Sequence, residues 1–223
     1  MKILVTAGST WVPIDHVRGI TNIFKGQTGA SIAQYFASQS HDTTLLTSNL
    51  ALSTTHPYLQ LLPYYTFDDL AMHMEQLVRH EHFDAIIHSA AVSDYLVAGV
   101  DGVGEHGGKI SSEHEELTLH LKRAPKLVDQ LRNPWGFTGT LVKFKLEVGL
   151  TEDALLSRAQ KSMLHSGADL IVANCLEWAH QSAQILYAGD LRVDNVSRKY
   201  LPQHLHHVLS QLTQKKQPVT EAA

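Results

Sequence analysis

Two short segments near the start of the chain carry residue types that suit phosphate binding. Gly26 and Gly29 open a predicted helix, and the exposed N–H groups of a helix N-terminus attract anions. Lys25 adds a positive charge, and Gly8, after the first predicted strand, permits the backbone to approach a ligand closely. The spacing is neither the Gly-x-Gly-x-x-Gly dinucleotide fingerprint nor a P-loop. A phosphate site and a plain turn before the helix are therefore both open interpretations.

Four further positions carry side chains that could take part in chemistry. Asp94 comes just past the fourth predicted strand, where two alanines leave room for a ligand. Its carboxylate could bind a ribose, an amine or Mg²⁺, or it could satisfy a local turn. Lys109 ends a glycine-rich segment, while Lys161 and His165 share one face of a predicted helix. Taken alone, each of these three side chains is more typical of a solvated charge.

The composition excludes several classes of protein. The chain has 223 residues, a formal net charge of −4, one cysteine and no apolar run as long as a membrane span. One cysteine cannot form an internal disulfide or a multi-cysteine zinc site, and a mildly acidic chain without a basic block is a poor nucleic-acid binder. The 15 histidines contain no His-Glu-x-x-His motif, so we interpret them as surface residues. These observations predict a cytoplasmic α/β protein that binds neither nucleic acid nor membrane.

Strand patterns alternate with helix patterns along the chain. Such alternation predicts an α/β fold with a Rossmann-like, doubly wound, mainly parallel sheet, whose ligands bind at the carboxyl ends of the strands. Thr66 with Asp69, and Thr151 before two acidic residues, are expected to cap helices. The predicted strands cover 2–6, 43–47, 61–65, 83–92, 141–148, 168–174 and 184–187, and the other helices cover 29–40 and 202–216.

One region breaks the alternation. Residues 97–108 contain five glycines, and the following segment 116–122 alternates as a strand. We interpret 96–122 as a glycine-rich flap that ends in an extended arm able to exchange across a two-fold axis, which predicts a homodimer. A plain surface insertion is the alternative. The chain is predicted to be a single domain over 1–223, with a frayed tail at 217–223.

Several motifs taken together resemble the phosphopantothenate–cysteine ligase family, in its stand-alone bacterial form. The most specific is Pro-Ile-Asp-His-Val-Arg-Gly-Ile-Thr-Asn at 13–22, and the resemblance covers roughly 1–190. It implies that the carboxylate of 4′-phosphopantothenate is activated by CTP, or by ATP, with Mg²⁺, and that the cysteine amine then attacks the acyl-nucleotide. The other motifs, in chain order, lie at 6–10, 26–29, 90–95, 109–112 and 168–174.

The resemblance also implies a role for individual residues. Asn22 and Lys109 would be catalytic, with Lys109 on the flap. Asn22, Ala90, Ala91 and Asp94 would bind the phosphopantothenate side. The residues implied at the nucleotide are Gly8, Lys25, Gly26, Gly29, Asp94, Ala124, Pro125, Lys126, Leu127, Phe144, Lys161, His165 and Asn174. The resemblance does not identify metal ligands.

Four residues depart from the family's pattern. Phe24 replaces a serine of the phosphate loop, Lys143 a glycine, His165 a lysine and Cys175 an aspartate. These departures keep open the alternative of a non-catalytic homologue that binds phosphopantothenate or nucleotide. An NAD(P)-dependent Rossmann oxidoreductase is a second alternative, but no Gly-x-Gly-x-x-Gly fingerprint follows the first predicted strand and the chain lacks a Tyr-x-x-x-Lys pair.

Overall fold

The structure of the protein is a computed structural model that describes residues 1–52, 55–101, 108–190 and 192–216. Its strands are β1 (Lys2–Ala7), β2 (Trp11–Pro13), β3 (Gly19–Thr21), β4 (Asp42–Thr47), β5 (Leu59–Pro63), β6 (Ala85–His88), β7 (Tyr95–Val100), β8 (Leu119–Arg123), β9 (Thr140–Glu147), β10 (Leu170–Cys175), β11 (Ser182–Tyr187) and β12 (Val193–Ser197). Its helices are α1 (Gln27–Ser38), α2 (Phe67–His80), α3 (Leu127–Gln130), α4 (Glu152–Ser166) and α5 (Leu201–Lys216).

Eight strands form one sheet in the order β12-β11-β10-β9-β6-β1-β4-β5. The chain runs outward from β1 through β4 to β5, then returns to the other side of β1 to build β6, β9 and β10. All of these neighbours pair in parallel, and β11 and β12 add antiparallel strands at one edge. The reversal beside β1 opens a crevice at the carboxyl ends of β1 and β6. The sheet confirms the predicted Rossmann-like, doubly wound architecture.

Helices cover both faces of this sheet, because its parallel strands are apolar on both sides. On one face α1 and α5 enclose a core that includes the fully buried Phe36, and on the other α2 and α4 enclose a core that includes Met74. Among the described residues, every helix is too short or too polar to span a lipid bilayer.

Both predicted helix caps are confirmed. The backbone N–H of Asp69 donates to Thr66 Oγ1 at 3.1 Å, and the Asp69 carboxylate accepts from the Thr66 N–H at 2.8 Å. The Thr151 hydroxyl accepts the backbone N–H of Ala154 at 3.4 Å at the start of α4. These local signals could be read from the sequence because each cap needs only residues three positions apart.

Strand β6 is shorter than the predicted 83–92. It ends at His88 because the next residues bond to Thr6 in place of the sheet ladder: Ser89 Oγ donates to the Thr6 carbonyl at 2.7 Å, and the Ala90 N–H donates to Thr6 Oγ1 at 3.2 Å. The chain then leaves the sheet as a loop over 89–94. This loop is therefore tied to the end of the central strand.

The arm predicted within 96–122 is a two-stranded antiparallel ribbon of β7 and β8 outside the main sheet. Strand β8 begins at Leu119, three residues later than the predicted alternation at 116–122. The central part of the predicted flap, 102–107, and the predicted tail at 217–223 lie outside the described residues. The short pair β2–β3 and the edge strand β12 were not predicted, because three-residue strands and an exposed edge leave little periodicity.

The start of α1 packs against the ends of β1 and β6 without room for a side chain. A Cβ on Gly29 would lie 2.4 Å from Ser89 Oγ and 2.6 Å from the Ala7 Cβ. The helix N-terminus is therefore held directly at the crevice.

We expect Gly29→Ala to lower the free energy of unfolding by about 1–3 kcal/mol, since the added methyl group overpacks this contact. Helix propensity alone predicts the opposite, a gain of about 1 kcal/mol. Urea unfolding measures the difference, with Ser31→Ala at an exposed position of the same helix as control. A Gly29→Ala chain as stable as the Ser31→Ala chain would contradict the close approach.

Candidate active site

A cleft of about 570 Å³ lies at the carboxyl edge of the sheet, where β1, β6, β9 and β10 end. The cleft therefore lies at the carboxyl ends of the strands, as predicted. Loop residues after β1, β6 and β10 line it, whereas β9 contributes residues of the strand itself. The residues singled out from the sequence that line the cleft are Gly8, Asn22, Lys25, Gly26, Gly29, Ala90, Ala91, Asp94, Pro125, Lys126, Leu127, Phe144, His165 and Asn174.

The N-terminus of α1 opens directly into this cleft. Its N-cap, Gly26, has φ +85°, a left-handed conformation that favours glycine, and a Cβ there would lie 2.3 Å from the Gly8 nitrogen. No side chain caps the helix and its first turn contains no acidic residue. The first N–H groups and the positive end of the helix dipole are thus available to an anion in the cleft.

A guanidinium lies beside the same helix end. Arg198 lines the cleft and donates hydrogen bonds to the Thr28 hydroxyl in the first turn of α1 and to the Ala179 carbonyl, the latter at 3.2 Å. Burial lowers the pKa of Arg198. The positive charge of Arg198 therefore adds to that of the α1 N-terminus and favours the binding of an anion there. Sequence reasoning missed Arg198 because it follows the unpredicted strand β12, far from every recognised motif.

Asn174 lies on the same side of the sheet as α1. Its side chain is buried, and within the described chain its Oδ1 has no hydrogen-bond partner. An unpaired buried acceptor is destabilising unless a ligand or a water molecule supplies a donor. The cleft-lining position of Asn174 makes an N–H or O–H of a bound ligand the natural partner.

Asn22 is fixed at the entrance to the loop that follows β6. Its Nδ2 donates to the Ala91 carbonyl at 2.9 Å, and the Ala91 N–H donates to the Gly8 carbonyl at 2.8 Å. The chain of contacts joins Asn22 to the end of β1. The amide of Asn22 and the backbone of Ala90 and Ala91 therefore face the same space as the helix N-terminus.

The opposite wall of the cleft carries ion pairs. Asp94 pairs with Lys126, and Asp129 of α3 pairs with His165 Nε2 at 3.2 Å. The backbone N–H of Ala124 donates to the Asp94 carbonyl at 2.9 Å, which anchors the loop before α3. Ala124 itself is buried and lies outside the lining.

Lys161 and Lys109 also lie outside the lining of the cleft. Lys161 is exposed on α4, one position from the lining residue Ser162. Lys109 is exposed and precedes the buried Ile110 in the chain. The structure therefore does not bring these two lysines together with the other predicted residues.

A clamp of Asp15 and Arg18 holds the backbone next to Lys109. The Asp15 carboxylate accepts the N–H of Ile110 at 3.0 Å and the Nε of Arg18 at 2.9 Å, and Arg18 Nη2 donates to the Ile110 carbonyl at 2.7 Å. The Arg18 guanidinium, followed by the Ile110 N–H, holds the pKa of Asp15 well below its usual range. Both residues belong to the 13–22 motif, but the sequence does not reveal that they reach across to residue 110.

The four departures from the family pattern occupy different environments. Phe24 lines the cleft and is partly exposed, while His165 takes part in the pair with Asp129. Cys175 is buried and its thiol donates to Glu177 Oε2 at 2.8 Å. Lys143 is a buried cation in the lining.

Comparison with known proteins gives consistent matches. The family model described as the DNA/pantothenate metabolism flavoprotein C-terminal domain matches residues 1–198. The Coenzyme A biosynthesis bifunctional protein CoaBC of Thermococcus kodakarensis is 34% identical over 179 residues, which are 79% of this chain and 41% of that protein. Phosphopantothenate–cysteine ligase 1 of Oryza sativa subsp. japonica is 25% identical over 224 residues, with 77% of this chain and 67% of the relative covered.

A solved structure agrees with these sequence relatives. The DNA/pantothenate metabolism flavoprotein from Streptococcus pneumoniae superposes with a TM-score of 0.83 at 30% identity and covers 95% of this chain and 99% of its own. The chain spans about two fifths of the length of the Thermococcus relative. On the match over residues 1–198, the chain belongs to the family of the DNA/pantothenate metabolism flavoprotein C-terminal domain.

Proposed function

We propose that the chain is a ligase of coenzyme A biosynthesis that joins 4′-phosphopantothenate to L-cysteine through an acyl-nucleotide. One observation carries the proposal: the uncapped N-terminus of α1 and the Asn22–Ala91 contact share a single cleft. An anion site beside an orienting amide is what carboxylate activation by a nucleotide requires. The name of the rice relative gives the same reaction, and the name of the bifunctional relative gives coenzyme A biosynthesis.

The reaction has two steps. In the first, a carboxylate oxygen of phosphopantothenate attacks the α-phosphorus of the nucleoside triphosphate, and the bond to pyrophosphate breaks. In the second, the cysteine amine attacks the acyl carbonyl, the nucleoside monophosphate leaves with the bond electrons, and the amine loses a proton. Both steps develop negative charge on oxygen, which fixed N–H donors and cations stabilise.

The residues divide between these tasks. The N–H groups of α1, Lys25 and Arg198 would bind phosphate oxygens, while Asn174 would donate or accept at the base or ribose. Asn22 would hold the acyl group beside the pocket made by Ala90 and Ala91. Lys109 would reach the acyl-nucleotide from the end of the flap, in the position that the Asp15–Arg18 clamp sets.

Magnesium fits this site as a complex with the triphosphate. The described residues contain no group of three or more His, Cys, Asp or Glu side chains that could hold a metal. Mg²⁺ bound to phosphates needs only one or two protein carboxylates, and Asp94 and Asp129 line the cleft. The ion would supply charge compensation for the triphosphate. We propose CTP or ATP as the nucleotide, a single ligase domain and a cytoplasmic location.

The wild-type chain should form the amide and release pyrophosphate when given phosphopantothenate, cysteine and either CTP or ATP. We expect Asn22→Asp to slow amide formation by about 10²-fold or more. The substitution replaces the amide that donates to the Ala91 carbonyl with a carboxylate, which would repel the carboxylate of phosphopantothenate. Asn195→Asp, at an exposed position of β12, changes the charge equally and is the control.

Equal rates for Asn22→Asp and Asn195→Asp would contradict the assignment of Asn22. Tight phosphopantothenate binding by a wild-type chain that releases no pyrophosphate with either nucleotide would favour the non-catalytic homologue instead.

The Asp15–Arg18 clamp should also affect turnover, because it fixes the backbone next to Lys109. We expect Asp15→Asn to lower kcat roughly tenfold with little change in KM for the nucleotide, since Lys109 would lose its fixed approach while the cleft stays intact. Asp153→Asn, an exposed residue in the first turn of α4, is the control. An unchanged kcat, or a rise in the KM for every substrate together with a large loss of stability, would show that the clamp is only structural.

We further propose that the chain forms a homodimer through the arm and the 13–22 segment. Large apolar side chains are exposed there, including Val17, Ile20, Tyr95 and Leu121. Exposed apolar side chains clustered at a ribbon are typical of an interface.

Sedimentation at micromolar concentration should give twice the 24.7 kDa chain mass. Leu121→Asp should shift the chain towards monomer, whereas Leu164→Asp, at an exposed position of α4, should not. A wild-type monomer, or equal behaviour of the two variants, would count against this interface.

A further inference from the structure

Lys143 is a buried cation in the middle of β9, level with the carboxyl end of β6, and it lines the cleft. It is 7% exposed and pairs in register with His88 of β6 on one side and Ile171 of β10 on the other. A buried ammonium is unfavourable unless it is paired with negative charge or fully hydrogen-bonded. The partners of Lys143 therefore decide what it does.

The partners that the described chain provides are neutral. Lys143 Nζ donates to the Ser166 hydroxyl at 3.1 Å and to the Ser162 carbonyl at 3.3 Å, both on α4. An ammonium has three donors, so one is left for another group. In the part of the chain that the structure describes, no carboxylate lies within ion-pair distance of Lys143.

Two neighbouring lysines of the cleft behave differently. Lys126 is paired with Asp94, and Lys145, two residues along the same strand, is paired with Glu147 at 3.0 Å. These charges are already compensated within the protein. Among the described lining residues, the lysines without such a partner are Lys25 and Lys143. Lys25 is exposed, whereas Lys143 is buried.

The groups around Lys143 bring no negative charge to contact distance. His88 is buried, its Nδ1 lies 2.9 Å from Thr6 Oγ1, and burial lowers the pKa of His88 to about 4, with the Lys143 charge acting in the same direction. Burial likewise lowers the pKa of Lys143, and the more distant Asp129 offsets this in part. An anion bound in the cleft would complete both the charge balance and the third hydrogen bond.

We propose that Lys143 binds a phosphate group of a substrate in the cleft. The inference rests on the proposed function, which supplies two sources of phosphate: the nucleoside triphosphate with its pyrophosphate product, and the phosphate of phosphopantothenate. In either case Lys143 contributes a cation from the sheet, facing the wall that α3 and α4 form, whereas the N-terminus of α1 and Arg198 act from the other wall.

The test is Lys143→Met, which keeps the buried stem and removes the charge and its donors. Lys199→Met removes one positive charge at an exposed position outside the cleft and is the matched control. Calorimetric titration with inorganic pyrophosphate, with CTP and ATP, and with phosphopantothenate then measures each dissociation constant. We expect Lys143→Met to raise the constant for at least one phosphate ligand roughly 10- to 100-fold, the loss of one charge-assisted hydrogen bond.

The ligand that responds identifies the source of the phosphate. A change confined to pyrophosphate and the nucleotides places Lys143 at the triphosphate, and a change confined to phosphopantothenate places it at that substrate. No difference between Lys143→Met and Lys199→Met for any ligand would overturn the inference, as would a wild-type chain that binds none of them.

Thermal unfolding separates ligand binding from a structural role. Without ligand, Lys143→Met should unfold at the same temperature as wild type or a higher one, because the substitution removes an uncompensated buried charge. A marked drop in that temperature, with unchanged dissociation constants, would assign Lys143 to structure alone. Because pyrophosphate binding needs no turnover, a wild-type chain that binds pyrophosphate but forms no amide would refute the ligase proposal and leave this test intact.

Discussion

The contact between the start of α1 and the end of β1 determines the form of the site. A Cβ on Gly26 would lie 2.3 Å from the Gly8 nitrogen and 2.7 Å from its Cα, so the two backbones touch where side chains would normally separate them. This contact brings the helix N-terminus to the topological switch between β1 and β6. Because the loop after β6 is bonded to Thr6 and Gly8, it is carried to the same point. The N–H groups that would bind phosphate and the Asn22 amide therefore share one cleft.

Charge gives this cleft its chemical character. The whole chain has a net charge of −4, yet the described lining contains six Lys and Arg residues and two carboxylates. Ion pairs compensate part of the excess, as Asp94 does for Lys126. The remaining cations are distributed over both walls, with Arg198 beside α1 and Lys143 against α4. A polyanionic ligand that spans the cleft would meet positive charge on each side, and the low local dielectric would strengthen these contacts.

Local signals in the sequence predicted much of the framework. The apolar run of β1, the cap of α2 by Thr66 and the glycines before α1 each depend on neighbouring residues, and all lie where the patterns indicated. Contacts between distant residues could not be predicted in the same way. Asp15 and Ile110 are 95 positions apart, and Arg198 reaches Thr28 over 170. The burial of Lys143 is also a tertiary property, since a lysine within a strand pattern ordinarily indicates an exposed position.

In the proposed reaction, this cleft brings a carboxylate against the α-phosphorus of a nucleotide, and the acyl group is then transferred to an amine. Phosphopantothenate labelled with ¹⁸O in its carboxylate tests this directly, by mass spectrometry of the products formed with cysteine and CTP or ATP. We expect the nucleoside monophosphate to carry one ¹⁸O atom, because the carboxylate oxygen that attacks phosphorus leaves with it. Unlabelled nucleoside monophosphate, or label recovered in inorganic phosphate, would contradict the acyl-nucleotide and with it the assignment of the cleft.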